Sequence, residues 1–145
     1  MNKSFSSKAK RPSRYKYYMG IAQSVSQRST CLKRRYGCIL VKNDEIIATG
    51  YNGAPRSMPN CCDIFSECPR KDAPHNSGDY SDCPSVHAEQ NAMLSAARKD
   101  MIGAVMYLYG EELNEANEWK RIEAPCPCPI CSRMISNAGI SEIKN

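Results

Sequence analysis

The sequence lacks the features that would direct a protein into a membrane or out of the cell. None of its apolar runs approaches the roughly 20 residues that a membrane-spanning helix needs. The N-terminal residues are polar and basic, without the apolar stretch of a secretory signal. We therefore expect a cytoplasmic protein with no membrane partner.

Acidic residues are also absent from the first part of the chain. Residues 1–43 contain 11 Lys and Arg but no Asp or Glu, whereas the 145-residue chain as a whole carries a net charge of +5. A basic segment of this kind suits a nucleic acid or a phosphorylated small molecule. The length is that of one domain, so we predict a flexible basic leader over residues 1–14 and a single domain over residues 15–145.

Histidine is scarce, with two residues, but cysteine is abundant, with nine. The odd number of cysteines and the missing export signal argue against a disulfide framework. Metal binding explains the cysteines better.

The pattern of apolar and turn-forming residues predicts alternating helices and strands. Helices are expected over 15–28, over 86–99 with Ser85 as the N-cap, and over 129–137, where Pro129 suits the first turn and Gly139 ends the helix. Strands are expected over 38–41 and 45–49, joined by a hairpin turn at 43–44, and then over 104–109 and 140–143. This order predicts an α/β fold with at least one parallel crossover.

Two segments do not follow this pattern. Residues 56–84 form a Cys-rich insert without periodicity, and a loop of this length inside a compact domain needs something to hold it in place. Residues 110–124 are strongly charged. They could contact the substrate, but we favour a solvated excursion.

Two short motifs carry the chemistry. His87-Ala88-Glu89 opens one predicted helix, and Cys128-Pro129-Ile130-Cys131 opens another. Two thiols three residues apart at a helix N-terminus can point to one side, and His87 can supply a third ligand. Three protein ligands leave the fourth position of a zinc ion open for water, which is typical of a catalytic site. Glu89 could then face that position as a proton carrier.

With the Pro127 that precedes Cys128, these motifs read His-x-Glu and Pro-Cys-x-x-Cys, the pattern of zinc-dependent nucleobase deaminases. The chain resembles the deoxycytidylate branch of the cytidine and deoxycytidylate deaminase family. The resemblance covers residues 15–143, including the segments 28–31, 37–41, 49–56, 87–92 and 127–139.

The resemblance implies a three-layer α/β/α cytidine-deaminase-like fold whose mixed sheet has an N-terminal hairpin and parallel strands. Family members usually continue beyond the point where this chain ends, so the expected sheet is truncated at its C-terminal edge. The implied reaction is hydrolytic deamination of dCMP to dUMP with release of ammonia. Glu89 would be the catalytic residue, and His87, Cys128 and Cys131 would hold the catalytic zinc.

The resemblance also implies contacts with the substrate. Asn52 would bind the sugar or the attacked centre, and the backbone N–H of Ala88 would bind the base carbonyl. The 5′-phosphate needs cationic partners. Arg28 and Arg56 are the first candidates, and Lys33 and Arg34 are further ones.

A second, structural zinc would explain the insert. Some family members carry one, and here it would be held by Cys31, Cys61, Cys68 and Cys83, with His75 or Cys62 as possible replacements. Such a site would stabilise a loop that has few apolar residues. Cys38 is expected to pack in the core, and Cys126 to hold no metal.

Family members are often homo-oligomers, frequently hexamers, and some are regulated by nucleotide triphosphates, so both properties are expected here. Two other functions remain open. The chain could deaminate another base or nucleoside, or it could be a zinc-stabilised nucleic-acid-binding module without catalysis. Glu89 argues against the module, because a purely structural metal site has no use for a carboxylate beside it.

Overall fold

A mixed five-stranded sheet with helices on both faces forms the centre of the protein. This computed structural model describes residues 10–78 and 80–145, so most of the predicted leader lies outside the described residues. The helices are α1 (Arg14–Ser26), α2 (Cys61–Ile64), α3 (Ala88–Leu94), α4 (Arg98–Met101) and α5 (Pro129–Ala138). The strands are β1 (Arg34–Lys42), β2 (Glu45–Tyr51), β3 (Val105–Leu113), β4 (Trp119–Arg121) and β5 (Glu142–Lys144).

The predicted hairpin is confirmed. β1 and β2 pair antiparallel, with Lys42 opposite Glu45. The two turn residues, Asn43 and Asp44, have φ angles of 52° and 61°, and this left-handed conformation is what a two-residue hairpin turn requires. Asn and Asp tolerate it better than other non-glycine residues do. Both strands extend beyond the predicted ends.

The sheet is mixed, as expected. Its strands run in the order β2-β1-β3-β4, and β5 pairs with the first part of β3. β5 is parallel to β3, whereas β1 and β4 are antiparallel to it. The connection from β3 to β5 passes through α5 and therefore provides the predicted parallel crossover.

The helices make the fold three layers thick. On one face of the sheet, Tyr18, Met19 and Ala22 of α1 pack with alternate strand residues such as Ile39 and Tyr107. On the other face, α3 and α5 pack with the intervening residues; this cluster includes Cys38, Leu40, Met106 and Leu108 from the sheet and Ala88, Ala92, Cys131 and Ile135 from the helices. The alternation follows from the two-residue period of a strand, and it places α3 beside α5.

The prediction of one helix over 86–99 was wrong. Val86 is extended because it bridges to Gly53, so His87 and not Ser85 is the N-cap of α3. Ser95 ends α3, and its hydroxyl donates to the Asn91 carbonyl at 3.0 Å. A side chain bonded to the backbone in this way competes with helix propagation. The extended Ala97 then caps the short α4.

The solvated excursion expected over 110–124 is confirmed for its middle part, because residues 114–118 are exposed, but residues 110 and 111 are buried. β3 continues to Leu113, and the chain returns as β4 to pair with it. The guanidinium of Arg35 lies 3.9 Å from the ring centroid of Trp119, which stabilises this extension. None of the helices in the described part of the chain is long and apolar enough to cross a lipid bilayer.

Candidate metal centre and substrate cavity

The start of α3 places His87 and Glu89. The bridge between Gly53 and Val86 has N···O distances of 3.1 and 2.7 Å and holds the chain extended up to His87. The backbone N–H of His87 donates to the side chain of Gln90 at 2.9 Å, which satisfies a donor at the helix end. His87 therefore lies at the N-cap, with Glu89 in the first turn.

The start of α5 places the two cysteines of the Cys-x-x-Cys motif in the same way. Cys128 is the N-cap, and its Sγ accepts a hydrogen bond from the Cys131 N–H at 3.4 Å. Pro129 occupies the first turn, where its missing N–H costs nothing. Both sulfurs consequently lie at the helix end that faces α3.

These residues converge on one point. Nδ1 of His87 lies 3.6 Å from the Cys128 Sγ and 3.4 Å from the Cys131 Sγ. Within residues 10–78 and 80–145, this is the one group of three His, Cys, Asp or Glu residues gathered tightly enough to hold a metal ion, with all ligand atoms within 4.8 Å of one another. One imidazole and two thiols are the donors that zinc prefers, so the residues fit a zinc ion.

Glu89 is buried beside this group, with 5% of its surface exposed. Burial raises the pKa of its carboxyl, while its own backbone N–H and the nearby His87 oppose the rise. Burial, followed by the charge of Glu89, raises the pKa of the Cys131 thiol. The thiolate form at this position therefore needs a cation, and a coordinated metal ion deprotonates a thiol outright.

The metal group lies in the wall of a cavity that encloses about 800 Å³, including its open mouth. The lining combines a few charged groups with apolar and aromatic ones, and includes Lys33, Arg34, Tyr36, Asn52, Arg70, His75, Tyr80, His87, Glu89, Leu108, Cys126 and Cys128.

Asn52 lies in this lining and is held by the start of β1. Its Oδ1 accepts from the Tyr36 N–H at 2.8 Å, and its Nδ2 donates to the Arg34 carbonyl at 2.9 Å. A side-chain amide has two donors and two acceptor sites, so one of each remains for a ligand. Ala88 is fully buried as the first residue of α3, where a backbone N–H has no partner within the helix.

The cations that the structure places in the cavity wall are not the two that we first predicted. Lys33, Arg34 and Arg70 line it, whereas Arg28 and Arg56 do not. The ammonium of Lys33 donates to the carbonyls of Arg70 and Ala73 at 3.0 and 3.2 Å. It is therefore engaged in holding the insert.

Arg34 has acidic and neutral partners. Its Nη2 lies 2.9 Å from a carboxylate oxygen of Glu112, and its Nη1 forms a hydrogen bond with Nδ1 of His75. Burial, followed by the charge of Arg34, lowers the pKa of His75. The neutral imidazole can accept a hydrogen bond from Arg34, which holds the guanidinium at the cavity.

The cysteines predicted for a second metal lie near one another but are less tightly gathered. After burial, the charges of Cys31, Cys83 and Cys68, in that order, raise the pKa of Cys61, so all four share one electrostatic environment. Three of them, Cys31, Cys68 and Cys83, also line the cavity. In the described residues they do not form a ligand group as close as that of His87.

Sequence reasoning missed several residues of the cavity wall, and Arg70 and Tyr80 are the two whose contacts matter most below. Both lie in the insert, whose irregular path brings them to the cavity wall. No periodicity or spacing in residues 56–84 signals this placement.

Comparison with known proteins gives a consistent result. The sequence model described as the cytidine and deoxycytidylate deaminase zinc-binding region matches residues 12–144. A deoxycytidylate deaminase of Schizosaccharomyces pombe is 40% identical over 134 residues, which are 92% of this chain and 37% of that protein. One of Mycobacterium phage D29 is 37% identical over 139 residues, which are 92% of this chain and 94% of that protein. The chain thus spans little more than a third of the length of the yeast deoxycytidylate deaminases that it matches.

A solved structure has a similar fold. A cyanophage S-TIM5 dCMP deaminase, crystallised in complex with dCMP and dUMP, superposes with a TM-score of 0.63 at 29% identity. The match covers 93% of this chain and 82% of that one. This agrees with the predicted cytidine-deaminase-like arrangement of the sheet and helices.

Proposed function

Because the chain belongs to the family of cytidine and deoxycytidylate deaminases with a zinc-binding region, we propose that it hydrolyses dCMP to dUMP with release of ammonia. One observation carries the proposal. His87, Cys128 and Cys131 form a metal-ligand group in the wall of a cavity that also contains Glu89 and basic side chains. The similar phage proteins act on the same nucleotide by name.

In this proposal His87, Cys128 and Cys131 hold the catalytic zinc. When bound, zinc supplies Lewis-acid chemistry that makes water nucleophilic near neutral pH. Two thiolates and an imidazole would fill three of the four positions that a zinc ion usually has in proteins, and would leave one for water.

Glu89 is the proton carrier. Its carboxyl accepts the proton that water loses and delivers it to ring nitrogen 3 of cytosine. It then takes the second proton from the new hydroxyl on C4 and delivers it to the departing amine. The C4–N bond breaks and a C4–O bond forms, so cytosine and water yield uracil and ammonia. Burial favours this role, because it raises the pKa of the carboxyl towards the working pH, where one group can act as both base and acid.

The remaining cavity residues bind the nucleotide. The free amide groups of Asn52 contact the sugar or the attacked centre, and the Ala88 N–H binds the base carbonyl. We assign the 5′-phosphate first to Arg34, because it lines the cavity and two side chains hold its guanidinium in place. Arg28 and Arg56 remain sequence-based predictions for this contact.

The assay that tests the activity measures ammonia release from dCMP, deoxycytidine, cytidylate and a short cytosine-containing oligonucleotide, together with zinc content per chain. We expect turnover of dCMP above the other three. Turnover of another substrate in its place would assign a different base or nucleoside, and salt-dependent DNA binding without turnover would favour a binding module.

Glu89→Gln tests the assigned role directly. Loss of a general acid–base group costs about 10²–10⁴-fold in rate, and zinc content should stay unchanged. Glu111→Gln is a matched control, since Glu111 is also a buried glutamate but does not line the cavity. An active Glu89→Gln variant would refute the assignment.

We also propose a second, structural zinc at Cys31, Cys61, Cys68 and Cys83, supported by the shared environment of their thiols. Cys31→Ser should lower the zinc content by one equivalent and destabilise the fold. Cys126→Ser, a change at an exposed cysteine of the cavity mouth, should leave it unchanged. Two zinc equivalents retained in Cys31→Ser would remove this site.

Three further expectations from the sequence stay predictions: a homo-oligomer such as a hexamer, regulation by a nucleotide triphosphate, and a cytoplasmic location. Light scattering of the purified protein tests the first, and ammonia release from dCMP with and without dCTP or dTTP tests the second.

A further inference from the structure

Tyr80 of the insert packs against the metal-binding imidazole. The ring centroids of Tyr80 and His87 are 5.8 Å apart, and the ring planes make an angle of 72°. This edge-to-face arrangement is one that aromatic rings prefer. Both residues line the cavity, so the contact between them forms part of the cavity wall.

This contact matters because, in the described part of the chain, the His87 imidazole makes no hydrogen bond through its second ring nitrogen, Nε2. A metal-binding histidine usually donates its second ring N–H to a carboxylate or carbonyl, which fixes the orientation of the ring. The ring hydrogen bonds of His87 involve Nδ1. Packing against the Tyr80 ring can supply the orientation that such a hydrogen bond normally gives.

Tyr80 is itself held firmly enough for this task. The guanidinium of Arg70 lies 4.6 Å from its ring centroid, and Arg70 also donates to the Ser77 hydroxyl at 2.7 Å. The carbonyl of Arg70 accepts from Lys33, which directly precedes β1. A chain of contacts thus runs from the sheet through Arg70 and Tyr80 to His87.

We propose that Tyr80 is a positioning residue for His87: its ring, stacked on Arg70, fixes the imidazole in the orientation that binds the metal. The inference rests on the proposed function only in that His87 is a zinc ligand. It gives the insert a second role, because the same segment that encloses the cavity also orients a residue of the metal centre.

The test measures zinc affinity in competition with a chromophoric chelator, and the visible spectrum of the cobalt-substituted protein. Loss of an outer-shell partner typically weakens metal binding by about 10–100-fold, and we expect this of Tyr80→Leu together with an altered cobalt spectrum. Tyr80→Phe keeps the ring edge and should retain affinity and spectrum. Phe65→Leu, at an exposed aromatic residue of the same insert, is the matched control and should behave as wild type.

Wild-type affinity and spectrum in Tyr80→Leu would overturn the proposal. So would an equal loss in Tyr80→Phe, because that result would assign the effect to the hydroxyl. If Tyr80→Leu does not fold, as judged by circular dichroism, Arg70→Gln replaces it. Loss of the stacked cation should then weaken zinc binding several-fold, and unchanged binding would count against the proposal.

Neither readout requires a substrate. A protein in which Tyr80→Leu weakens zinc binding, but which does not turn over dCMP, would contradict the proposed function and leave this inference intact. A dCMP-active protein in which Tyr80→Leu binds zinc normally would contradict this inference and leave the proposed function intact.

Discussion

Replacing Gly50 with alanine should separate β2 from α3 and displace Glu89. Gly50 lies where the two backbones touch. A Cβ atom there would lie 2.3 Å from the Ala92 nitrogen and 2.4 Å from the Ala88 oxygen. Ordinary van der Waals contact begins near 3.4 Å, so the two elements must move apart by about 1 Å. Neither contact atom is in a flexible side chain, and the strain cannot be relieved by a rotamer change.

Two magnitudes follow from this displacement. Overpacking of this kind costs about 1–3 kcal/mol of folding free energy. For a chain of this size, each kcal/mol lowers the Tm by about 4 °C, so a fall of roughly 4–12 °C is expected. A 1 Å misplacement of a catalytic group costs about 100-fold in rate. Because α3 carries Glu89 in its first turn, Gly50→Ala should lose activity by about this factor even at temperatures where it is folded.

Thermal unfolding and ammonia release from dCMP measure the two effects. Gly20→Ala is the control, because Gly20 lies inside α1 and a Cβ there has no neighbour within 4 Å. That substitution should stabilise the protein by about 0.5–1 kcal/mol and leave activity unchanged. A Gly50→Ala variant with wild-type Tm and turnover would refute the close contact between β2 and α3.

Three other predictions concern the cavity and the core. Arg34→Gln should raise KM for dCMP by about 10–100-fold, because a lost charged hydrogen bond costs about 1.5–3 kcal/mol. The KM for deoxycytidine, which has no phosphate, should change much less. If Arg28→Ala and not Arg34→Gln raises KM for dCMP selectively, the phosphate contact belongs to Arg28. In an NMR titration, His75 should have a pKa below 6.5, because burial and then Arg34 lower it, and Arg34→Gln should move that pKa upwards. A lowered histidine pKa stabilises the fold fully above pH 6.5, and this contribution declines as the pH falls through the folded-state value. Unchanged titration in Arg34→Gln would contradict the contact. Leu40 is fully buried, so Leu40→Ala should lower the free energy of unfolding by about 2–5 kcal/mol in chemical denaturation. Ile39→Val, at another fully buried position, should lower it by about 0.5–1.5 kcal/mol. Equal losses would show that Leu40 is not packed as described.

The elements that the sequence predicted well are those determined by local chemistry. The turn at Asn43 and Asp44 needs residues that tolerate a left-handed backbone, and α5 begins at Pro129 and ends at Gly139, whose φ is 84°. Both signals act within a few residues. The late start of α3 depends on the bridge between Val86 and Gly53, and the return of the chain as β4 depends on its pairing with β3. Helix periodicity and charge pattern do not indicate either contact.

In the candidate site, too, some residues are placed by local chemistry and others by contacts with distant segments. The spacing of His87 and Glu89, and of Cys128 and Cys131, is meaningful because each pair lies in the first turn of its own helix. The sequence therefore carried enough information to predict the ligand group. The cavity wall is different, because Tyr80 reaches it through a segment with little regular structure, and side chains from β1 and the insert decide its position.

The metal group lies on helix ends, whereas much of the cavity wall lies in the insert, and this difference predicts how the protein tolerates substitutions. The metal ligands project from helix ends that pack against the fully buried Cys38 and Leu40, so changes that leave this core intact should not move them far. The insert has a single four-residue helix, α2, among its described residues, and Lys33 and Arg34 hold it at a few polar points. Substitutions in the insert outside Cys61, Cys68 and Cys83 should therefore alter substrate affinity and metal affinity at little cost in global stability. Substitutions under α3 and α5 should lower stability and turnover together.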